Sequence, residues 1–218
     1  LLRNPYGFYV SKMLKLSKFR YLHNNSYVSE FGTFVHNVIE LYTKDFERLN
    51  KDDLNGEFAS IGARILEASD SIFKDFWLYK LNRIAADFVA FDLSRRESAK
   101  AIFAEHRGQL RVQLQCGRSI ALSSISDRIE ICSNNIVHIF DYKTGSVPSK
   151  QDVARGLSPQ LIIGAIIAHG GGFPFIPANC NVKVYYVKIS SSGNFIKIEQ
   201  INISSDEFFA HFEALKIF

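Results

Sequence analysis

The run Ile136-Val137-His138-Ile139-Phe140-Asp141-Tyr142-Lys143-Thr144-Gly145 is apolar for most of its length and ends on an acid and an amine two positions apart. Side chains along a strand change face at every residue, so Val137, Ile139, Asp141 and Lys143 share one face. An unpaired charge on an otherwise apolar face is costly to bury. The ending Asp-x-Lys therefore points to a working site rather than to a surface ion pair.

Upstream lies a second strand, Ile125-Ser126-Asp127-Arg128-Ile129-Glu130-Ile131. Alternation sets Asp127 on the face of Ile125, Ile129 and Ile131, and sets Arg128 and Glu130 on the opposite face as structural partners. Between the strands, Ser133-Asn134-Asn135 has the chemistry of a turn. Folding back there brings Asp127 beside Asp141 and Lys143. Two carboxylates at adjoining strands suit a hard divalent cation, which takes oxygen ligands and leaves room for water and phosphate. A lysine beside them can hold an attacking water or offset developing negative charge.

Further out the periodicity changes. Apolar residues recur at helical spacing through Tyr9, Met13, Leu14 and Leu16, and again through Phe34, Val35, Val38, Ile39 and Tyr42. Lys51-Asp52-Asp53-Leu54-Asn55-Gly56 reads as a polar break, followed by a helix through Ile61, Ile65, Leu66 and Ile72 and a long one from Phe76 to Arg96. From about Ala104 the period is two, with strands expected at 110–114, 120–131 and 137–143. An apolar helix over 158–169 and strands near 182–189 and 195–203 follow, and Ser204-x-x-Glu207 fits a capping box for a last helix. The expected fold is an α/β domain: a central mixed sheet flanked by helices, mostly helical over 1–103 and built on a sheet with a crossover helix over 104–218.

Composition narrows the function classes. With 218 residues, 47% of them hydrophobic, the chain is long enough for one substantial core. No apolar run reaches the roughly 20 residues of a membrane span, and the first residues lack the order of a signal peptide, so a cytoplasmic protein without a membrane partner is expected. The chain starts without Met and stops abruptly, as a piece of a longer polypeptide does. Cys116, Cys132 and Cys180 show no metal-binding spacing and are expected to be small buried residues. Residues 1–29 carry Arg3, Lys12, Lys15, Lys18 and Arg20 with no acid, which gives that end a charge suited to phosphate.

Ser126-Asp127-Arg128-Ile129-Glu130, then Phe140-Asp141-Tyr142-Lys143-Thr144-Gly145, then Pro159-Gln160-Leu161 resemble, in order and spacing, the motif series of the RecB-type PD-(D/E)XK nucleases. Phe31-Gly32-Thr33-Phe34-Val35-His36 is similar to the GxxxH helix that precedes the series. The resemblance implies a restriction-endonuclease-like core and an Mg²⁺-dependent deoxyribonuclease, with Mn²⁺ or Ca²⁺ able to replace Mg²⁺ in binding. It makes His36, Asp127, Asp141 and the main-chain carbonyl of Tyr142 metal ligands, Lys143 the catalytic lysine, and Gln160 a neighbour of the site. Glu105 resembles a glutamate that the family often carries, in a metal role or in a pairing with Arg107 or Arg128.

Within the family, Asn4-Pro5-Tyr6-Gly7-Phe8-Tyr9, Phe76-Trp77 and Arg83-Ile84-Ala85 resemble the carboxy-terminal nuclease domain of AddB-type subunits. That implies a DNA exonuclease working beside an AddA-like helicase–nuclease subunit in double-strand break processing. The cysteines do not match the iron–sulfur arrangement of some AddB proteins, so no cluster is expected within this chain. Other departures are Ser124 and Ser126, where the family has a small residue and an arginine, and Gly164 where it often has an aromatic; the glycine is expected to remove a contact to DNA. Two alternatives remain open: a non-catalytic module that keeps the fold to hold DNA or a partner, and another RecB-type exonuclease of the Cas4-like or phage kind.

Overall fold

The computed structural model describes residues 26–154, 158–191, 193 and 195–201, together with Tyr6, Tyr9, Met13 and Leu14. Lys12, Lys15, Lys18 and Arg20, most of the expected first helix and the helix expected after Ser204 lie outside the described residues. Three helices come first: α1 (Ser26–Asp45), α2 (Leu54–Glu67) and α3 (Lys74–Ser98). Strands β1 (Ala99–Gln113), β2 (Ser119–Cys132) and β3 (Ile136–Lys143) follow, then α4 (Lys150–Ala154), α5 (Gln160–His169), β4 (Asn181–Ile189) and β5 (Ile196–Ile201).

Phe34, Val35, Val38, Ile39 and Tyr42 form the buried stripe of α1, as their helical spacing requires. The expected polar break after Lys51 is shorter than six residues. Lys51–Asp53 make one 3-10 turn, and Asp53 then caps α2 by accepting from Gly56 N at 2.9 Å, so Asn55 and Gly56 are already helical. Ile72 is 89% exposed between α2 and α3 and takes no part in the helix assigned to it.

The sheet has the order β1-β2-β3-β4-β5, with β3 and β4 parallel and every other pair antiparallel. The parallel pair needs a crossover, which α4 and α5 supply; α4 was not foreseen. Asn134 and Asn135 both adopt left-handed φ in the β2–β3 turn, a conformation that asparagine tolerates. On one sheet face, α1, α2 and α3 pack over Phe140, Tyr142, Val187 and Ile189. On the other, α5 packs over Ile129, Val137, Ile139, Val184 and Tyr186. The result is the expected mixed sheet between helical layers, with a helical N-terminal part. Among the described residues no helix is long and apolar enough to cross a membrane.

Two expectations about β1 change. The strand starts at Ala99, directly from the end of α3, and Glu105 stands inside it rather than ahead of the sheet. No glycine or proline marks that junction. The cysteines differ among themselves: Cys180 is buried as expected, but Cys132 is half-buried and Cys116 exposed.

Candidate active site

The β2–β3 ladder runs from Ile131↔Val137 to Arg128↔Phe140 and stops there. One step on, the Tyr142 amide donates to Asp127 Oδ2 at 2.7 Å instead of to a strand carbonyl. Asp127 thus terminates the pairing of the two strands with its side chain.

Asp127 does not share a face with all three isoleucines. Ile129 and Ile131 belong to the α5 side, but Ile125 is 44% exposed and Ser126 faces α5 at Gly164. Side-chain alternation changes step at Asp127. It changes step in β1 as well, where Phe103 and Leu110 both pack toward α5 although the offset between them is an odd number of residues. Between them Glu105 has φ 49, left-handed and unusual for a glutamate, and lies between the pairs Ala104↔Arg128 and His106↔Ser126, opposite Asp127. Such a conformation costs on the order of 1–3 kcal/mol and persists where the surroundings impose it. Here it brings two carboxylates together.

Helix α1 supplies the third group. A Cβ on Gly32 would come within 2.9 Å of Thr144 Oγ1, so the helix passes the end of β3 this closely because residue 32 has no side chain. One turn on, His36 Nε2 donates to the Tyr142 carbonyl at 2.9 Å, since only a donor can approach a carbonyl oxygen so closely. Its Nδ1 then faces Asp127 Oδ2 at 3.6 Å. Ligand atoms of His36, Glu105 and Asp127 lie within 4.8 Å of one another.

Asp141 is 2% exposed, and its Oδ1 has no hydrogen-bond partner among the described residues. Lys143 Nζ is 2.6 Å from Asp141 Oδ2 and forms an ion pair with it. From the other side Lys143 Nζ reaches Gln160 Oε1, at 3.5 Å, at the start of α5. A small cleft lined by Ile125, Asp127, Asp141, Gln160 and Leu161 opens here.

Burial pushes the Asp127 carboxyl up to about 7, and the Asp141 charge adds to the rise. Burial likewise raises Asp141, although Lys143 opposes it, and raises Glu105, where Asp127 contributes. Burial holds His36 below the usual histidine range, so its imidazole is neutral and able to act as a ligand. Three carboxylates whose ionisation is resisted and one neutral imidazole fit a hard divalent cation, which would relieve the repulsion. His36, Glu105, Asp127 and Asp141 are the residues that would hold it. The Tyr142 carbonyl, expected as a ligand, is engaged by His36.

The face behind Asp127 holds a buried charge network. Arg128 donates to Asp92 Oδ1 of α3 at 2.5 Å and to Glu130 Oε1 at 2.8 Å. Arg96 braces Asp92, while Arg95 braces Glu130 and donates to His138 Nδ1 at 2.6 Å. Arg128 and Glu130 are thus partners of each other on the face opposite Asp127; the contributions of Asp92, Arg95 and Arg96 had no pattern in the sequence that singled them out. Gly164 is buried in α5, where a Cβ would stand 3.4 Å from Ser126 Oγ and 3.9 Å from Ile139.

Over residues 1–216 the chain matches the family described as the PD-(D/E)XK nuclease superfamily. The chain belongs to that superfamily. An uncharacterized protein of Rickettsia bellii is 34% identical to this nuclease-family chain over 230 residues, covering 99% of the chain and 28% of that protein. An uncharacterized protein of Rickettsia typhi is 38% identical over 179 residues, 79% of the chain and 21% of that protein. The chain therefore spans less than a third of the length of these relatives. The crystal structure of SSO0001 matches with a TM-score of 0.37 and 14% identity, over 94% of this chain and 79% of that one.

Proposed function

We propose that this chain is a divalent-cation-dependent deoxyribonuclease domain that degrades DNA from its ends, with Mg²⁺ as its cation. The observation that carries the reading is the cluster of His36, Glu105 and Asp127, whose ligand atoms lie within 4.8 Å of one another, beside the buried Asp141 and its Lys143 partner. A cation bound there supplies an activated water and offsets charge at phosphorus. The rest falls to the chain itself. Lys143, held between Asp141 and Gln160, stands at the cleft with an ammonium that can orient the attacking water or take charge from a phosphate oxygen in the transition state. His36, braced on Tyr142, keeps a neutral face toward Asp127.

The segments Asn4–Tyr9, Phe76-Trp77 and Arg83-Ile84-Ala85 support a finer reading: an AddB-like subunit that works in the cytoplasm beside an AddA-like helicase–nuclease in double-strand break repair and recombination. The test is digestion of end-labelled single- and double-stranded DNA by the full-length protein, alone and with an AddA-like partner, in Mg²⁺, Mn²⁺ and EDTA. Cleavage from the ends that EDTA abolishes is expected. Tight DNA binding without cleavage in any metal, with the partner present, would make the domain a DNA-holding module.

A further inference from the structure

Arg128 is fully buried, yet its guanidinium lies on the helical face of the sheet, away from the cleft. It joins α3 to β2 through Asp92 and Glu130, each of which has a second arginine on the more accessible side. Burying such charges gains little stability over an apolar packing of the same volume. What the network provides here is position. Arg128 is the residue next to Asp127, and Arg128↔Phe140 is the last pair of the ladder before the Asp127 side chain takes over. With the guanidinium clamped on the helical face at the last ladder pair, the main chain from which Asp127 reaches Tyr142 is held in place where the alternation changes step.

A second line runs through Tyr142. Its ring is 1% exposed, and its hydroxyl and Arg128 Nη2 are both buried without a hydrogen-bond partner among the described residues. The main chain of the same residue takes Asp127 on its amide and His36 on its carbonyl. Arg128 is thus anchored one residue from the Asp127 end of the Asp127–Tyr142–His36 chain, on the face away from the cleft.

We propose that Arg128 is the positioning residue of this site, holding Asp127 and the Tyr142 main chain in the arrangement that a divalent cation requires; this rests on the metal-binding reading above. Partners behind first ligands commonly affect metal affinity by roughly 10- to 100-fold, and a loss in that range is expected for Arg128→Met. Arg128→Lys, which keeps the charge but loses the planar fork, should fall between that variant and wild type.

The experiment uses the full-length protein and two readouts: Mn²⁺ affinity by electron paramagnetic resonance of the free ion, and peptide-resolved hydrogen exchange over residues 140–143. Both Arg128 variants should bind Mn²⁺ more weakly and exchange faster over that peptide. Ile61→Ala, a cavity in the α2 core, should lower the melting temperature with neither effect. Should Arg128→Met not fold, Arg128→Lys carries the test. Wild-type affinity and wild-type protection in a folded Arg128 variant would overturn the proposal. If the wild-type protein takes up no Mn²⁺, the metal reading fails, and unchanged protection in the Arg128 variants then overturns the positioning role on its own.

Discussion

His36 and Tyr142 are joined side chain to main chain: Nε2 of the imidazole donates to the tyrosine carbonyl at 2.9 Å, and the rings meet edge-on with centroids 6.1 Å apart. The contact fixes the tautomer and leaves Nδ1 facing Asp127. His36→Ala should therefore keep the fold, since the side chain is only partly buried, while Mn²⁺ affinity falls by roughly 10-fold or more. His36→Gln, which restores a donor to Tyr142 O but no imidazole, should recover the melting temperature without recovering the affinity. Titration calorimetry beside thermal melts checks both.

Asp127 ties stability to pH. Its folded carboxyl is raised from the ordinary 3.8 to about 7, so between those values the folded state holds a proton that the unfolded state has released. Stability of the metal-free protein should consequently fall as pH rises from about 4 to 7, and the raised carboxyls of Asp141 and Glu105 act in the same direction. Asp127→Asn removes the charge and keeps an oxygen for the Tyr142 amide. In EDTA it should be more stable than wild type at pH 8 by roughly 2–4 kcal/mol, with the gap closing toward pH 4. A gap independent of pH, measured by denaturant titration, would rule this linkage out.

Gly32 and Thr144 should show strong coupling. In the wild-type background Gly32→Ala drives a methyl against Thr144 Oγ1 and should lower both melting temperature and Mn²⁺ affinity, because α1 carries His36 one turn away. With Thr144→Ala the obstruction is gone. There the same change should be neutral or stabilising by up to about 1 kcal/mol, the helix-propensity gain of alanine over glycine. A double-mutant cycle with no interaction energy would show that the close approach is not what requires glycine.

Much of this arrangement was legible in the sequence because the signals were local. Ile136–Lys143 alternates cleanly, Asn134-Asn135 suits a left-handed turn, and Gly32 and His36 stand one helical turn apart, so β3, its hairpin and the facing helix could all be placed. Glu105 was harder. Its role depends on a left-handed backbone that glutamate does not favour and on a change of step shared with Asp127 across two strands, and neither leaves a mark in residue type. The junction of α3 and β1 was hidden for a related reason. The chain passes from helix to strand at Ala99 without glycine or proline, while Arg95 and Arg96, which look like a solvated helix end, turn inward to Glu130 and Asp92.

Binding to DNA should depend on Lys12, Lys15, Lys18 and Arg20, the cations of a segment without acids. Charge reversal of all four should weaken binding at low salt. It should also flatten the slope of log K against log salt by about 0.9 for each duplex phosphate that is no longer neutralised. An unchanged affinity and slope in fluorescence anisotropy would assign that segment to a protein partner or to solvent.

In the proposed reaction Asp141 holds the cation, while Lys143, 2.6 Å away, acts on the reaction and not on the metal. The most direct measurement compares Asp141→Ala and Lys143→Ala in the full-length protein, with Mn²⁺ affinity and DNA cleavage at saturating Mg²⁺ determined on the same samples. Asp141→Ala should lose both. Lys143→Ala should bind the metal at least as tightly as wild type, because a neighbouring positive charge is gone, yet cleave at least about 10²-fold more slowly. Cleavage at the wild-type rate by Lys143→Ala, or undiminished metal affinity in Asp141→Ala, would contradict that division of labour.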